Sequence, residues 1–183
     1  VPMEIGWKAV EGVLDEADGD ATISRRCDDI AAGFLEAVGA SAGPLYATGF
    51  ARAGAAVSDR LNLDAGALAD GLAGMACGSE TRGGASVGDK TMVDAWRPAA
   101  DAAARASEKG GGVAACLEAA TRAAMAGADA TGPMQSAQGR SKKLGPRSIG
   151  HIDPGARSAA LLIRAWAAFL REKGVSLSAT TPE

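Results

Sequence analysis

Alanine supplies roughly a quarter of this 183-residue chain, and no other feature narrows its fold as much. Alanine is the best helix former and adds little bulk, so such a chain favours helices that pack closely through thin side chains. Aromatic residues make up only 4%. Val, Ile and Thr are too sparse for a large sheet, where β-branched side chains would do the packing. The expected class is all-α. A chain of this length buries a sizeable core as one domain. That domain is expected over residues 1–175, with 176–183 as a frayed tail.

Charge and cysteine usage narrow the function. A formal net charge of -3 argues against a nucleic-acid surface, though not against a nucleotide held by a local positive site or a metal. Cys27, Cys77 and Cys116 lie far apart and form no C-x-x-C pair. Neither a disulfide framework nor a zinc site is expected, and a reducing compartment, the cytoplasm, fits best. No secretory signal is visible at Val1-Pro2-Met3. The longest apolar stretch, Ser158 to Leu170, is broken by Arg164 and reads as a core helix, not a membrane span.

Apolar spacing and punctuation predict a series of helices. The first runs from Ile5 to about Ala17, with Trp7, Val10, Val13 and Leu14 on one side. Asp28-Asp29 can cap a second that ends at Val38. Pro44 suits the first turn of a third, running to Val57. Asp64 caps a fourth, which ends near Gly78. A fifth spans Lys90 to Ser107 with Pro98 expected to kink it. A sixth covers Val113 to Met125, an extended polar loop Thr131 to Pro154, and a last helix Ala156 to Lys173. Helices joined by alternately short and glycine-rich loops fit an antiparallel bundle or barrel with a ligand site at one end.

The chemistry concentrates in Leu144-Gly145-Pro146-Arg147-Ser148-Ile149-Gly150-His151-Ile152-Asp153-Pro154-Gly155-Ala156. Glycine lets backbone approach a ligand closely. The helix that follows offers unpaired N–H groups to an anion. Arg147 can reach that anion with a planar fork of donors. The stretch therefore reads as a phosphate-binding loop. Asp15, Asp18 and Asp20 repel one another unless a cation joins them, which suits Mg²⁺; Asp-Gly-Asp is equally ordinary turn chemistry. Ser41-Ala42-Gly43-Pro44 and the run Arg82 to Met92 can each cradle a nucleotide or simply turn between helices. Asp89 can cap a helix or meet a ligand. His151 reads as a structural loop residue, and Ser148 as a nucleophile only with a base beside it. Met92, Met134 and the tryptophans Trp7, Trp96 and Trp166 read most simply as core.

Together these stretches resemble the nucleotide-binding L subunit, or C-terminal domain, of the dihydroxyacetone kinases. Gly43-Pro44-Leu45-Tyr46 is similar to that family's G-P-L-[FY]. Gly83 with Gly88-Asp89-Lys90-Thr91-Met92-Val93-Asp94 is similar to its G…P-G-D-K-T-M-x-D. Gly139-Arg140 and then Leu144 to Ala156 are similar to its G-R…L-G-E-R-S-I-G-H-x-D-P-G-A, the most specific of the three. The likeness spans about Val13 to Phe169.

The resemblance implies an eight-helix antiparallel barrel with ADP or ATP at one end. By position, Asp15, Asp18 and Asp20 would hold Mg²⁺. Ser41, Ala42, Gly83, Thr91, Met92, Arg147, Asp153, Pro154 and Gly155 would line the nucleotide, with Asp89 less surely among them. Arg147 would also stabilise the transferring phosphoryl group. The ketose, dihydroxyacetone or a close relative, would sit on a separate K subunit that binds it through a His. The chain alone would then hold nucleotide without turnover. The phosphoryl donor would be ATP or a phosphotransferase-system protein that recharges bound ADP. A homodimer is also expected.

The front of the chain departs from the family pattern L-D-x-x-x-G-D-x-D-H-G. Leu14-Asp15-Glu16-Ala17-Asp18-Gly19-Asp20 is shorter by two, and Ala21-Thr22 replace His-Gly. Roughly one helix and its turn, ~20 residues or some 30 Å, is missing before Gly43. Either part of the phosphate cap is truly absent or the sequence joins segments across an omitted loop; the barrel's need for that helix favours the second. A true absence would favour a non-catalytic nucleotide-binding regulatory or interaction protein of the same fold.

Overall fold

The computed structural model describes residues 2–15, 21–39, 41–58 and 60–173. Among them lie seven α-helices: α1 Pro2–Asp15, α2 Ile23–Ala37, α3 Ala42–Val57, α4 Ala65–Gly83, α5 Val93–Glu108, α6 Val113–Ala130 and α7 Pro154–Glu172. A 3-10 helix, Arg140–Ser148, precedes α7 and is the eighth helical element; no strand occurs among the described residues. No described helix is long and apolar enough to cross a membrane. The expected tail 176–183 lies outside the described residues.

Each α-helix packs on the next in sequence, and α5 also meets α7. Met3, Ala42, Val93 and Pro154, near the starts of α1, α3, α5 and α7, share one cleft with Gly83 from the end of α4. Odd-numbered helices thus begin where the even-numbered ones finish, which makes the barrel antiparallel. Alanine stripes recur every fourth residue on its inner faces: Ala95, Ala99 and Ala103 on α5, and Ala120, Ala124 and Ala128 on α6 are all fully buried. Residues four apart share a helix face, so each stripe forms one smooth seam. Glycine continues the theme between α3 and α4. A Cβ on Gly74 would lie 2.6 Å from the Arg52 carbonyl, and one on Gly78 would lie 2.6 Å from that of Thr48.

The few aromatics bridge these thin layers. Rings follow one another from Trp7 to Phe34 at 5.0 Å, Phe34 to Tyr46 at 5.1 Å, Tyr46 to Trp96 at 6.4 Å and Trp96 to Trp166 at 6.2 Å. One continuous ring contact therefore links α1, α2, α3, α5 and α7. Trp96 is fully buried, and Trp7 and Trp166 pack against the core as expected.

Several helix ends differ from the sequence reading. α2 starts at Ile23 because the Thr22 hydroxyl accepts the Arg25 N–H at 3.2 Å; Asp28 and Asp29 lie inside the helix and cap nothing. Asp64 caps α4 as expected, accepting the Ala67 N–H at 2.7 Å. α4 then runs past Gly78 to a left-handed Gly84, since Gly78 is consumed by contact with α3 instead of ending a turn. α5 begins at Val93, not Lys90, whose φ of 60° is incompatible with a right-handed helix. It runs through Pro98 to Glu108. A proline nitrogen cannot donate to the carbonyl four residues back. Here that carbonyl belongs to Asp94, and Gly127 of α6 packs on it so closely that a Cβ would collide. α6 extends beyond Met125 to Ala130, and the expected polar loop contains the 3-10 helix, interrupted by Gly145 at φ 54°.

Candidate functional site

The converging helix ends enclose an open cleft of about 550 Å³. Its walls are the α3 entrance (Ser41, Ala42, Pro44, Leu45), the α4 exit (Ser79, Arg82, Gly83), the turn into α5 (Lys90, Thr91, Met92) and the α7 entrance (Asp153, Pro154, Gly155). The segment Gln138 to Ser141 closes the remaining side. This volume is in the range of small-molecule sites, and the mix of apolar wall and a few cations suits a ligand with a flat apolar part and an anionic end.

Buried polar groups hold the cleft in shape. The Asp94 carboxylate, 2% exposed, accepts the Gly88 N–H at 2.6 Å and the Thr91 N–H at 2.8 Å. It thereby folds the 88–91 turn back on the start of α5. Asp89 closes the same turn, accepting the Ser86 N–H at 2.8 Å, so it caps no helix. The Lys90 side chain dives inward, donating to the carbonyls of Thr131 at 2.6 Å and His151 at 2.5 Å. The Thr131 hydroxyl donates to Ala128 O and accepts the Asp153 N–H at 2.8 Å. Asp153 then caps α7 by accepting the Ala156 N–H at 2.8 Å. Burial pushes the Asp153 carboxyl above the ordinary carboxylate value; the Ala156 and Gly155 N–H groups and Lys90 oppose that, while Asp94 adds to it. Gly155 is required beside this cap, because a Cβ there would meet the Asp153 carboxylate at 2.9 Å.

Ser41, Ala42, Gly83, Thr91, Met92, Asp153, Pro154 and Gly155, singled out from separate stretches of sequence, all line this one cleft. Arg147 does not. It is exposed near the end of the 3-10 helix and is absent from the cleft wall. The guanidinium groups in the wall belong to Arg82 and Arg140. Gly145, at φ 54°, breaks the 3-10 helix, so Arg147 sits on a separate turn from Arg140. Arg140 was visible in the Gly139-Arg140 pair, but nothing in its spacing said that this arginine, rather than Arg147, lines the cleft. In the sequence Lys90 reads only as a helix start and part of a motif, and its inward course depends on a positive φ that no lysine advertises.

Ser148 has no base beside it. Its hydroxyl donates to Gly145 O at 2.7 Å and accepts the Ser136 N–H at 2.9 Å, a structural tie. His151 is exposed and contributes through its backbone carbonyl. Asp15 ends α1 on the surface, while Asp18 and Asp20 lie outside the described residues. Among the described residues no cluster of three or more His, Cys, Asp or Glu side chains is arranged to hold a metal ion.

Two observations fit an organic anion in the cleft. The Ser79 hydroxyl, in the wall and fully buried, has no hydrogen-bond partner among the described residues. Such a group carries a desolvation cost until something meets it. In addition, α3 enters the cleft with no side-chain cap on its first N–H groups.

The DAK2 domain family matches residues 1–168, nearly the whole chain, and the protein belongs to it. The chain is 40% identical over 138 residues to the ADP-binding subunit DhaL of the PEP-dependent dihydroxyacetone kinase of Escherichia coli K12, covering 75% of this chain and 66% of that protein. It is 32% identical over 167 residues to the ADP-binding subunit DhaL of PEP-dependent dihydroxyacetone kinase 2 of Listeria innocua, covering 89% and 76%. Among solved structures, the dihydroxyacetone kinase from C. freundii in complex with AMP-PNP and Mg²⁺ aligns with a TM-score of 0.56 at 31% identity, over 81% of this chain and 23% of that one. The chain therefore spans about two thirds of the E. coli subunit and under a quarter of the C. freundii kinase.

Proposed function

We propose that this chain is the nucleotide-binding, phosphoryl-transfer subunit of a dihydroxyacetone or related small-ketose kinase, acting with a separate ketose-binding subunit. The observation that carries the reading is the convergence of the α3, α5 and α7 entrances with Arg82, Arg140 and Lys90 around one cleft. Helix entrances and cations are what a polyphosphate needs. The apolar side of the wall, Leu45, Tyr46 and Met92, would receive the adenine.

Phosphoryl transfer is catalysed by positioning and by neutralising the charge on the moving group. In this reading Arg140 and Arg82, not Arg147, do that from the protein side. Asp15, Asp18 and Asp20 would hold Mg²⁺, which when bound supplies charge neutralisation at the phosphates. The relatives' names, a PEP-dependent kinase with an ADP-binding subunit, support ADP as the nucleotide held here; in this reading a phosphotransferase-system protein recharges it. An ADP off-rate much slower than turnover would fit that version; rapid ADP–ATP exchange would favour ATP as the direct donor.

The test is calorimetric titration of nucleotide-stripped protein with ADP, with and without Mg²⁺. Arg140→Ala is expected to weaken binding tenfold or more, and Arg147→Ala by less than twofold. Asp18→Ala is expected to abolish the Mg²⁺-dependent binding. No ADP binding by folded wild-type protein would overturn the reading. The shortened sequence after Leu14, with Ala21-Thr22 where the family pattern has His-Gly, favours a second reading, a nucleotide-binding regulatory protein without catalysis. That version predicts ADP binding but no ketose phosphorylation when the ketose-binding subunit is supplied.

A further inference from the structure

Lys90 is 3% exposed, yet it forms part of the cleft wall. Its ammonium is met by three carbonyl oxygens: Thr131 at 2.6 Å, His151 at 2.5 Å and Gly132 at 3.4 Å. Three acceptors match the three protons of a charged ammonium. Among the described residues no carboxylate comes within ion-pair distance of it. Two of its partners, Thr131 and Gly132, lie at the exit of α6, the negative end of that helix. Two buried carboxylates, Asp94 and Asp153, stand nearby, and Lys90 lowers the proton affinity of Asp153.

Without that ammonium, Asp153 in the wall, Asp94 nearby and the exits of α4 and α6 would be offset only by Arg82, Arg140 and the entrances of α3, α5 and α7. An anion would then be drawn into the cleft less strongly, the more so the more charge it carries. We propose that Lys90 is a positioning residue that makes the cleft selective for phosphate number. It neutralises the α6 exit and offsets Asp94 and Asp153, so affinity rises with each phosphate a ligand carries. It acts through the field and through the 131–132 and 151 turns, not by touching the transferred group. This rests on the nucleotide reading above.

The experiment compares adenosine, AMP and ADP binding at one saturating Mg²⁺ concentration, for wild type and for Lys90→Met, Lys90→Gln and Lys90→Arg. Thermal unfolding checks that each variant is folded. In the neutral variants, ADP affinity is expected to fall about tenfold, AMP affinity less, and adenosine affinity less than twofold. Lys90→Arg is expected to restore most of the preference for ADP. Thr131→Val serves as the uncharged comparison: it breaks the tie to Asp153 and should weaken all three ligands by a similar factor. Equal losses for adenosine and ADP in the neutral variants would mean a purely structural lysine and overturn the proposal, as would failure of both neutral variants to fold. Absence of ADP binding by folded wild-type protein is a different result, and it removes the nucleotide reading itself.

Discussion

The waist of the barrel and its cleft end are built from opposite materials. At the waist, α3 and α4 meet backbone to backbone through Gly49, Gly74 and Gly78, and α5 and α6 meet through alanine stripes. Little there is polar, and contact depends on side chains being absent. At the cleft end, buried Asp94, Lys90, Thr131 and Asp153 tie the starts of α5 and α7 to the end of α6 by hydrogen bonds. Buried charges cost free energy unless fully partnered, so a bundle seeking only stability would avoid them. The difference teaches that the waist supplies stability while the cleft end gives up part of it to hold a polar geometry.

Gly74→Val should break the waist most severely. Its Cβ would press on backbone atoms of Arg52 and Ala53 that cannot step aside, so a loss of about 3 kcal/mol or more is expected in urea unfolding. Asp94→Ala attacks the other end. It leaves the Gly88 and Thr91 N–H groups without their acceptor, for about 2 kcal/mol of stability. Unlike Gly74→Val, it should also weaken ADP binding in protein that remains folded, as the 88–91 turn loosens. If ADP affinity is unchanged, the cleft end is not held by its buried polar groups and the contrast fails.

The smallest effect is expected where the two regions join. The Tyr46 hydroxyl and Ser158 Oγ lie 2.6 Å apart, linking α3 to α7 beside the cleft. Tyr46→Phe should cost about 1 kcal/mol. Burial pushes the Tyr46 phenol well above its ordinary value of 10, outweighing the opposing hydrogen bond to Ser158. Tyr46 is the single tyrosine of the chain, so phenolate absorbance reports it alone. The native protein should show none as pH passes 10, where the unfolded chain ionises. With the folded value raised, this contribution to stability is complete below pH 10 and declines above it; Tyr46→Phe should remove that alkaline decline.

Composition and local punctuation carried much of the architecture. Alanine content and scarce β-branched residues dictated helices, Asp64 announced the start of α4, and glycine and proline marked turns that line the cleft. These are local effects, set by the propensity of each residue and its nearest neighbours. Eight of the nine expected nucleotide-lining positions lie on one cleft wall because the helix ends that carry them converge there.

Other matters only tertiary packing could decide. Alanine suits either face of a helix, so the sequence left open which alanines turn inward; contact between α5 and α6 chose Ala95, Ala99 and Ala103. Gly78 read as a helix stop and became a helix-to-helix contact, because α3 lies against it. Arg140 and Arg147 are interchangeable as text, and the break at Gly145 separated them. Lys90 gained its place from carbonyls 41 and 61 residues away. A charge finds such partners only once the helix ends have been brought together, and that depends on the packing of the whole barrel.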